Sequence, residues 1–362
     1  MANTLGQQWV VRSQQSDLSG LQFQENAPIP ELGPSEVLVE VLAASLNYRD
    51  LVVAKGLLGL KSSPDLVPGS DGAGYVRKTG SDVKSVAPGD RVVMHMVPET
   101  FKDNQVAPLD DSTLPSFAHI SAGLGHGLNG TLSTHGVFQE SCLAKFGDNL
   151  SFEEAATLTC SGITAWNALM GLEGKQVKKG DWVLVQGTGG VSIAALQFAL
   201  AAGANVIATT SSDAKAARLR DLGAHHVINY RSSPDWGAVA KRLTPSSRGV
   251  DIVVDVGGNA TLGQSLEAMR IDGLIVIAGL LGKTDREEPL MSVLGRICVV
   301  RGILLGTRQM MRDMIKFMEE KGVKPALDAE VFTLSEAKAA FERLEQQKHF
   351  SKVVIKIPGA KQ

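Results

Sequence analysis

The sequence predicts an α/β protein in which a doubly wound parallel sheet is inserted between a β-rich N-terminal region and a C-terminal piece. Three observations carry this. The segments Trp182-Val183-Leu184-Val185, Val206-Ile207-Ala208-Thr209, Ile252-Val253-Val254-Asp255 and Leu274-Ile275-Val276-Ile277-Ala278 are almost continuously apolar, as strands covered on both faces are. Helical segments such as Ser192 to Ala202 and Ala214 to Leu222 separate them, and such alternation marks a parallel sheet with helices on both sides. Residues 1–95 have a different rhythm, of short strands broken by turn chemistry.

In the β-rich region, Val37, Val39 and Val41 fall at every second position, the period of a half-buried strand. Pro88-Gly89-Asp90 followed by Arg91-Val92-Val93-Met94 reads as a tight turn feeding a strand. The polar stretch from Pro98 to about Leu114 lacks apolar periodicity and reads as a long loop. Ser151-Phe152-Glu153-Glu154 has the form of a capping box that opens a helix. After the α/β unit come a helix near Gln309 to Lys321, another near Ser335 to Gln346, and a strand from Lys352 to Ile357.

Composition excludes several classes. The chain has 362 residues, 44% hydrophobic and 20% charged, with 36 Lys plus Arg against 38 Asp plus Glu and a net charge of -2. That balance gives no footprint for nucleic acid or an anionic membrane. The longest apolar stretch, Ile193 to Ala208, is interrupted by Gln197, Gly203 and Asn205, short of the roughly 20 residues a bilayer requires. The N-terminus lacks a basic segment followed by an apolar core, so a cytoplasmic protein is expected. Cys142, Cys160 and Cys298 stand too far apart for a disulfide framework or a Cys-x-x-Cys metal pair.

The strongest local signal follows the first buried strand. Trp182 to Val185 runs into Gly187-Thr188-Gly189-Gly190-Val191-Ser192 and then a helix, with a second buried strand beyond, the context of a dinucleotide-binding loop. Gly187 permits the tight turn, Gly189 the close approach of backbone to pyrophosphate, and the helix start the anion site. Ser192 stands where the fingerprint has its third glycine. An NAD site usually carries an acid at the end of the second strand to bind the ribose 2′-hydroxyl. Here that slot reads Thr209-Thr210-Ser211-Ser212-Asp213-Ala214-Lys215. Hydroxyls at Ser211 and Ser212 and the Lys215 ammonium suit a 2′-phosphate, and Tyr230 offers a further hydroxyl. NADP is therefore favoured over NAD. In the alternative, Ser212 or Asp213 only caps the next helix and Lys215 is a solvated charge.

Taken in order, Leu46-Asn47-Tyr48-Arg49-Asp50, Val67-Pro68-Gly69-Ser70-Asp71-Gly72-Ala73-Gly74, Pro88-Gly89-Asp90-Arg91-Val92, Gly162-Ile163-Thr164-Ala165-Trp166, the glycine loop and Phe350-Ser351-Lys352-Val353-Val354 resemble the medium-chain dehydrogenase/reductases over nearly the whole chain. The likeness is to their zinc-free branch, near quinone oxidoreductases and alcohol-dehydrogenase-like proteins. It implies a GroES-like β-barrel catalytic domain from residues 1–155 and 303–362, around a Rossmann NADP-binding domain at 156–302, with the active site in the cleft between them. It also implies a homodimer through the apolar strand Ile297-Cys298-Val299-Val300.

By the same resemblance, zinc-using members place a cysteine at the position of Asn47, a His-Glu pair at Ser70-Asp71 and a cysteine at Cys160. Asn47 and Ser70 are poor zinc ligands, so no metal is expected, and Cys160 is read as packing. Asn47 or Tyr48 is then the candidate donor to a substrate oxygen that gains charge as hydride arrives. The alternative is that Arg49 and Asp50 form a structural ion pair and Tyr48 is half-buried core. Thr164 matches a position beside the nicotinamide, and Lys352 one near the pyrophosphate. His119, His126 and His135 lack mutual ligand spacing and read as surface histidines, with His126, between two glycines, the one suited to line a cleft.

The expected activity is hydride transfer from NADPH to a conjugated carbonyl, quinone or similar small substrate. Three alternatives stand beside it: a simple alcohol/carbonyl pair, a non-enzymatic NADP-binding role, and enoyl-thioester reduction. The last is less favoured because Lys55-Gly56-Leu57-Leu58 lacks the tyrosine of such members.

Overall fold

A computed structural model describes residues 5–101, 106–279, 282 and 288–359. The strands are β1 (Leu5–Val11), β2 (Leu21–Pro28), β3 (Glu36–Leu46), β4 (Asp71–Thr79), β5 (Arg91–Met94), β6 (His135–Gln139) and β7 (Leu143–Lys145). They continue as β8 (Trp182–Gln186), β9 (Asn205–Thr210), β10 (His226–Asn229), β11 (Val250–Asp255), β12 (Met269–Ile277), β13 (Val299–Gly302), β14 (Leu327–Thr333) and β15 (Lys352–Lys356). The chain divides into two compact units, residues 1–163 with 307–362, and residues 164–306.

The first unit is built on a sheet ordered β14-β15-β3-β4-β5-β7, with β6 also paired to β3. The alternation at Val37, Val39 and Val41 turns all three inward, where they join Leu46, Met94, Phe138, Phe341 and Ile355 in one apolar core. The turn before β5 is held by the Ala87 amide donating to Asp90 Oδ2 at 2.9 Å. Arg91, next in the chain, lies over the rings of Phe146 and Phe152 at 4.6 and 4.7 Å. Among the described residues, the stretch from Pro98 to Leu114 contains no helix or strand; 102–105 lie outside them. Ser151 and Glu154 form the expected capping box.

The second unit is a parallel sheet in the order β10-β9-β8-β11-β12-β13. The chain winds outward from β8 to β10, then returns to β11 and winds the other way. The carboxyl ends of β8 and β11 therefore form the point where strand order reverses, the place where open α/β sheets bind ligands. The fold is the α/β class expected. β12 begins at Met269 rather than near Leu274. The polar run Arg270-Ile271-Asp272-Gly273 hid its first half. Arg270 donates to Asp251 on the neighbouring β11, so a charged residue is tied into the sheet margin.

β3 and β4 approach unusually closely where Val41 faces Gly74. A Cβ on Gly74 would lie 2.0 Å from the Glu40 carbonyl oxygen. Gly74→Ala is expected to lower stability by about 1–3 kcal/mol through forced overpacking, read as a lower midpoint in urea unfolding.

Candidate active site

In the second unit, the glycine loop joins β8 to the helix that follows. Gly187 adopts φ 74°, a left-handed conformation that a side chain would strain. The next helix, Gly190–Ala201, begins at Gly189 with no side chain capping it. Its first amides are therefore left for an anion. A Cβ on Gly189 would meet nothing within 4 Å, so the backbone is open to a ligand. Thr188 is buried beside it, while Gly190 and Val191 are half-buried. Ser192 donates through Oγ to the Gln186 carbonyl at 2.6 Å, and so pins the helix start to the end of β8.

At the end of β9, Ser212 caps the helix Asp213–Asp221, its Oγ accepting from the Lys215 amide at 3.4 Å. Ser211 and Lys215 are half-buried and Tyr230 is exposed. Asp213 is exposed, and its carboxylate accepts from Asn229 Nδ2 at 2.9 Å. Thr164, in the helix Ile163–Met170, is buried.

A device absent from the sequence reading stands at the strand reversal. The fully buried Asp255 carboxylate accepts from Gln186 Nε2 at 3.0 Å, Thr261 Oγ1 at 2.7 Å, Ser265 Oγ at 2.6 Å and the amides of Gly257 and Gly258 at 3.0 and 2.9 Å. Gln186 Oε1 accepts from the Val256 amide at 3.2 Å. The ends of β8 and β11 are thus clamped together beside the nucleotide loop. Gln186 immediately before the glycines and Asp255 closing an apolar strand were the available signals.

The first unit gathers a second cluster. Asn47, buried, precedes the helix Tyr48–Lys55; its backbone N–H donates to Asp50 Oδ2 at 2.7 Å. Its Oδ1 accepts from Lys352 Nζ and from Ser161 Oγ at 3.2 Å. Its Nδ2 has no partner among the described residues. Ser161 and Cys160 lie on a π-helical turn, Leu158–Gly162, a local widening common at functional sites. Asp71 Oδ2 accepts from Lys352 Nζ at 3.1 Å and Ser45 Oγ at 3.0 Å, and Asp71 Oδ1 accepts from Ser70 Oγ at 3.0 Å.

Several expectations need correction. Lys352 is nearly fully buried in this cluster, and its ammonium protons are taken by Leu46 O, Asn47 Oδ1 and Asp71 Oδ2. It is not an open cation awaiting pyrophosphate. The alternative of an Arg49–Asp50 ion pair is not seen among the described residues: Arg49 donates to the carbonyls of Ile120 and Leu124 at 3.0 and 3.1 Å. Tyr48, the other candidate donor, is 48% exposed, which goes against the alternative that it is core. His126 is buried, with Nε2 against the Lys61 carbonyl at 3.1 Å; burial and then Arg49 hold its pKa low.

The donor set does not suit zinc. Asn47 supplies an amide and Ser70 a hydroxyl, while burial and the Asp71 charge push the Cys160 thiol up to about 12. The one carboxylate, Asp71, is already paired with an ammonium. Zinc favours thiolate, imidazole and free carboxylate.

Family comparison decides the lineage. Residues 33–148 match the alcohol dehydrogenase GroES-like domain, and residues 190–320 match the family of zinc-binding dehydrogenases. A zinc-type alcohol dehydrogenase-like protein of Schizosaccharomyces pombe is 43% identical over 353 residues, 96% of this chain and 99% of that protein. The chain is a medium-chain dehydrogenase/reductase. Related structures include an NAD-dependent alcohol dehydrogenase, 32% identical at TM-score 0.83 over 97% of this chain and 100% of the other. A crotonyl-CoA reductase of Streptomyces avermitilis is 33% identical over 307 residues, 74% of this chain and 68% of that protein. As a medium-chain dehydrogenase/reductase the protein is an NAD(P)-dependent oxidoreductase. No helix among the described residues is long and apolar enough to cross a membrane.

Asp50, fully buried, is raised from 3.8 to about 6, first by burial and then by the Asp71 charge. Between these values the unfolded chain has lost the proton that the folded chain keeps, so stability falls as pH rises. The stability of the native protein relative to Asp50→Asn is expected to drop by about 1–3 kcal/mol from pH 4 to pH 7, measured by urea unfolding at both. A difference independent of pH would show that Asp50 titrates normally.

Proposed function

We propose that this oxidoreductase transfers hydride from NADPH to a conjugated carbonyl, quinone or similar small substrate, without a metal. The observation that carries the proposal is the unpartnered Nδ2 of buried Asn47. A buried donor left unsatisfied is costly and is an apt partner for an oxygen that gains charge during the reaction. A simple ketone needs strong polarisation before accepting hydride, the work of a Lewis acid. A conjugated acceptor spreads the developing charge onto a remote oxygen, where a neutral amide donor suffices. The crotonyl-CoA reductase relative is named for a conjugated thioester, and so favours a conjugated acceptor through the enoyl-thioester alternative. A simple alcohol/carbonyl pair is the second candidate, favoured by the alcohol dehydrogenase names among the relatives.

Asn47→Ala is expected to lower kcat roughly 10²–10³-fold, in an assay of NADPH consumption over enones, quinones and aldehydes. Chelation is expected to leave activity intact; about one zinc per chain, with activity lost on its removal, would overturn the metal-free mechanism.

For the cofactor, the hydroxyls of Ser211, Ser212 and Tyr230 and the ammonium of Lys215 favour a 2′-phosphate. Thr164, Gly187, Thr188, Gly189, Gly190 and Val191 are the remaining proposed contacts. Lys215→Ala is expected to weaken NADPH but not NADH by roughly 1–3 kcal/mol, read by fluorescence titration. Tighter binding of NADH to the native protein would reverse the preference.

A homodimer is also proposed. The outer edge of β13 has no partner strand among the described residues, and Leu290, Met291, Leu294 and Ile297 are exposed just before it. Pairing of that edge with a second copy would bury both features. Light scattering at micromolar concentration tests this: a dimer mass is expected, and a monomer mass rejects it.

A further inference from the structure

Among the side chains around Asn47, Lys352 alone brings a full positive charge into hydrogen-bond contact with the amide. A carboxamide has two orientations that exchange its acceptor and donor ends. An ammonium can only donate, so the atom facing Lys352 Nζ must be Oδ1. The Ser161 hydroxyl, 3.2 Å from the same oxygen, reinforces that orientation. Nδ2 is consequently turned to the side where the protein offers it no acceptor.

We infer that Lys352 is a positioning residue for Asn47, fixing the amide so that Nδ2 faces the substrate oxygen and polarising it from the opposite end. A cation on the amide oxygen draws electron density from the nitrogen and strengthens the N–H as a donor, most of all where the surroundings are dry. Asp71 balances the charge and is itself held by Ser45 and Ser70. Positive charge thus reaches the substrate oxygen through an amide rather than through direct coordination. The inference rests on Asn47 as donor in the proposed reduction.

A double-mutant cycle tests it in the full-length protein with NADPH and an enone. Lys352→Met is expected to lower kcat roughly 10²-fold with the Kd for NADPH unchanged, and Lys352→Arg to recover part of the loss. In the Asn47→Ala background, Lys352→Met is expected to cost nothing further, because the two residues act as a unit. Additive losses, or a raised NADPH Kd with kcat retained, would overturn the inference and return Lys352 to the cofactor. Lys352→Met alone strands a buried carboxylate. The paired variant Lys352→Met/Asp71→Asn removes both charges and is expected to show the same fall in kcat; native kcat in that folded variant also overturns it.

Should the native protein reduce no acceptor, the proposed reaction fails independently of the positioning. Positioning is then read from the side-chain amide resonances of protein labelled with 15N-asparagine. The Asn47 pair, identified by its loss in Asn47→Ala, is expected to shift in Lys352→Met more than any other asparagine pair. An unmoved pair would reject the role of Lys352.

Discussion

A lysine ammonium taken out of water must find an acceptor for every proton, or the fold bears several kcal/mol of uncompensated charge. Lys352 meets that condition with a backbone carbonyl at the end of β3, a carboxylate at the start of β4 and the amide between β3 and the helix Tyr48–Lys55. Those three acceptors lie on segments that the antiparallel pairing of β15 with β3, and of β3 with β4, brings side by side. The sheet register of the β-rich unit and the polarity of Asn47 therefore depend on one another. A slip of β15 by one residue would turn Lys352 to the opposite face and leave Asp71 and Asn47 without their cation.

The nucleotide unit solves a different problem with a negative charge. Asp255 is fully buried without a cationic partner among its hydrogen bonds, and five donors surround it. Two of them are amides of the glycine turn after β11, one is the side chain that ends β8, and two are hydroxyls on the helix Asn259–Ala268. A carboxylate satisfied this fully behaves as a rigid joint. It fixes the mouth of the sheet before any ligand arrives, so less ordering remains to be done on binding.

Periodicity and turn chemistry made the fold legible in the sequence. Apolar runs marked β8, β9, β11 and the second half of β12, and the glycine loop was recognisable because strand and helix flank it. Asn47 was within reach as a candidate site residue, because the amide stands in a short motif whose family position is recognisable. The place of Lys352 was not legible. It meets Asn47 across 305 positions of sequence, and no local pattern records a contact made by sheet pairing. The family resemblance suggested a pyrophosphate partner, and nothing in the local sequence pointed to a buried one. The Asp255 clamp was hidden for a related reason: an acid closing an apolar strand looks like a turn residue until its five donors are assembled.

The cation that orients Asn47 lies on β15, which follows the entire nucleotide unit along the chain. During synthesis the glycine loop and its sheet are complete while Asn47 and Asp71 still lack the ammonium of Lys352. The emerging protein would complete its parallel sheet before the buried cluster of its β-rich unit is charge-balanced. The buried charge cluster is in this sense completed last, and a chain interrupted before β15 would leave Asp71 without its cation.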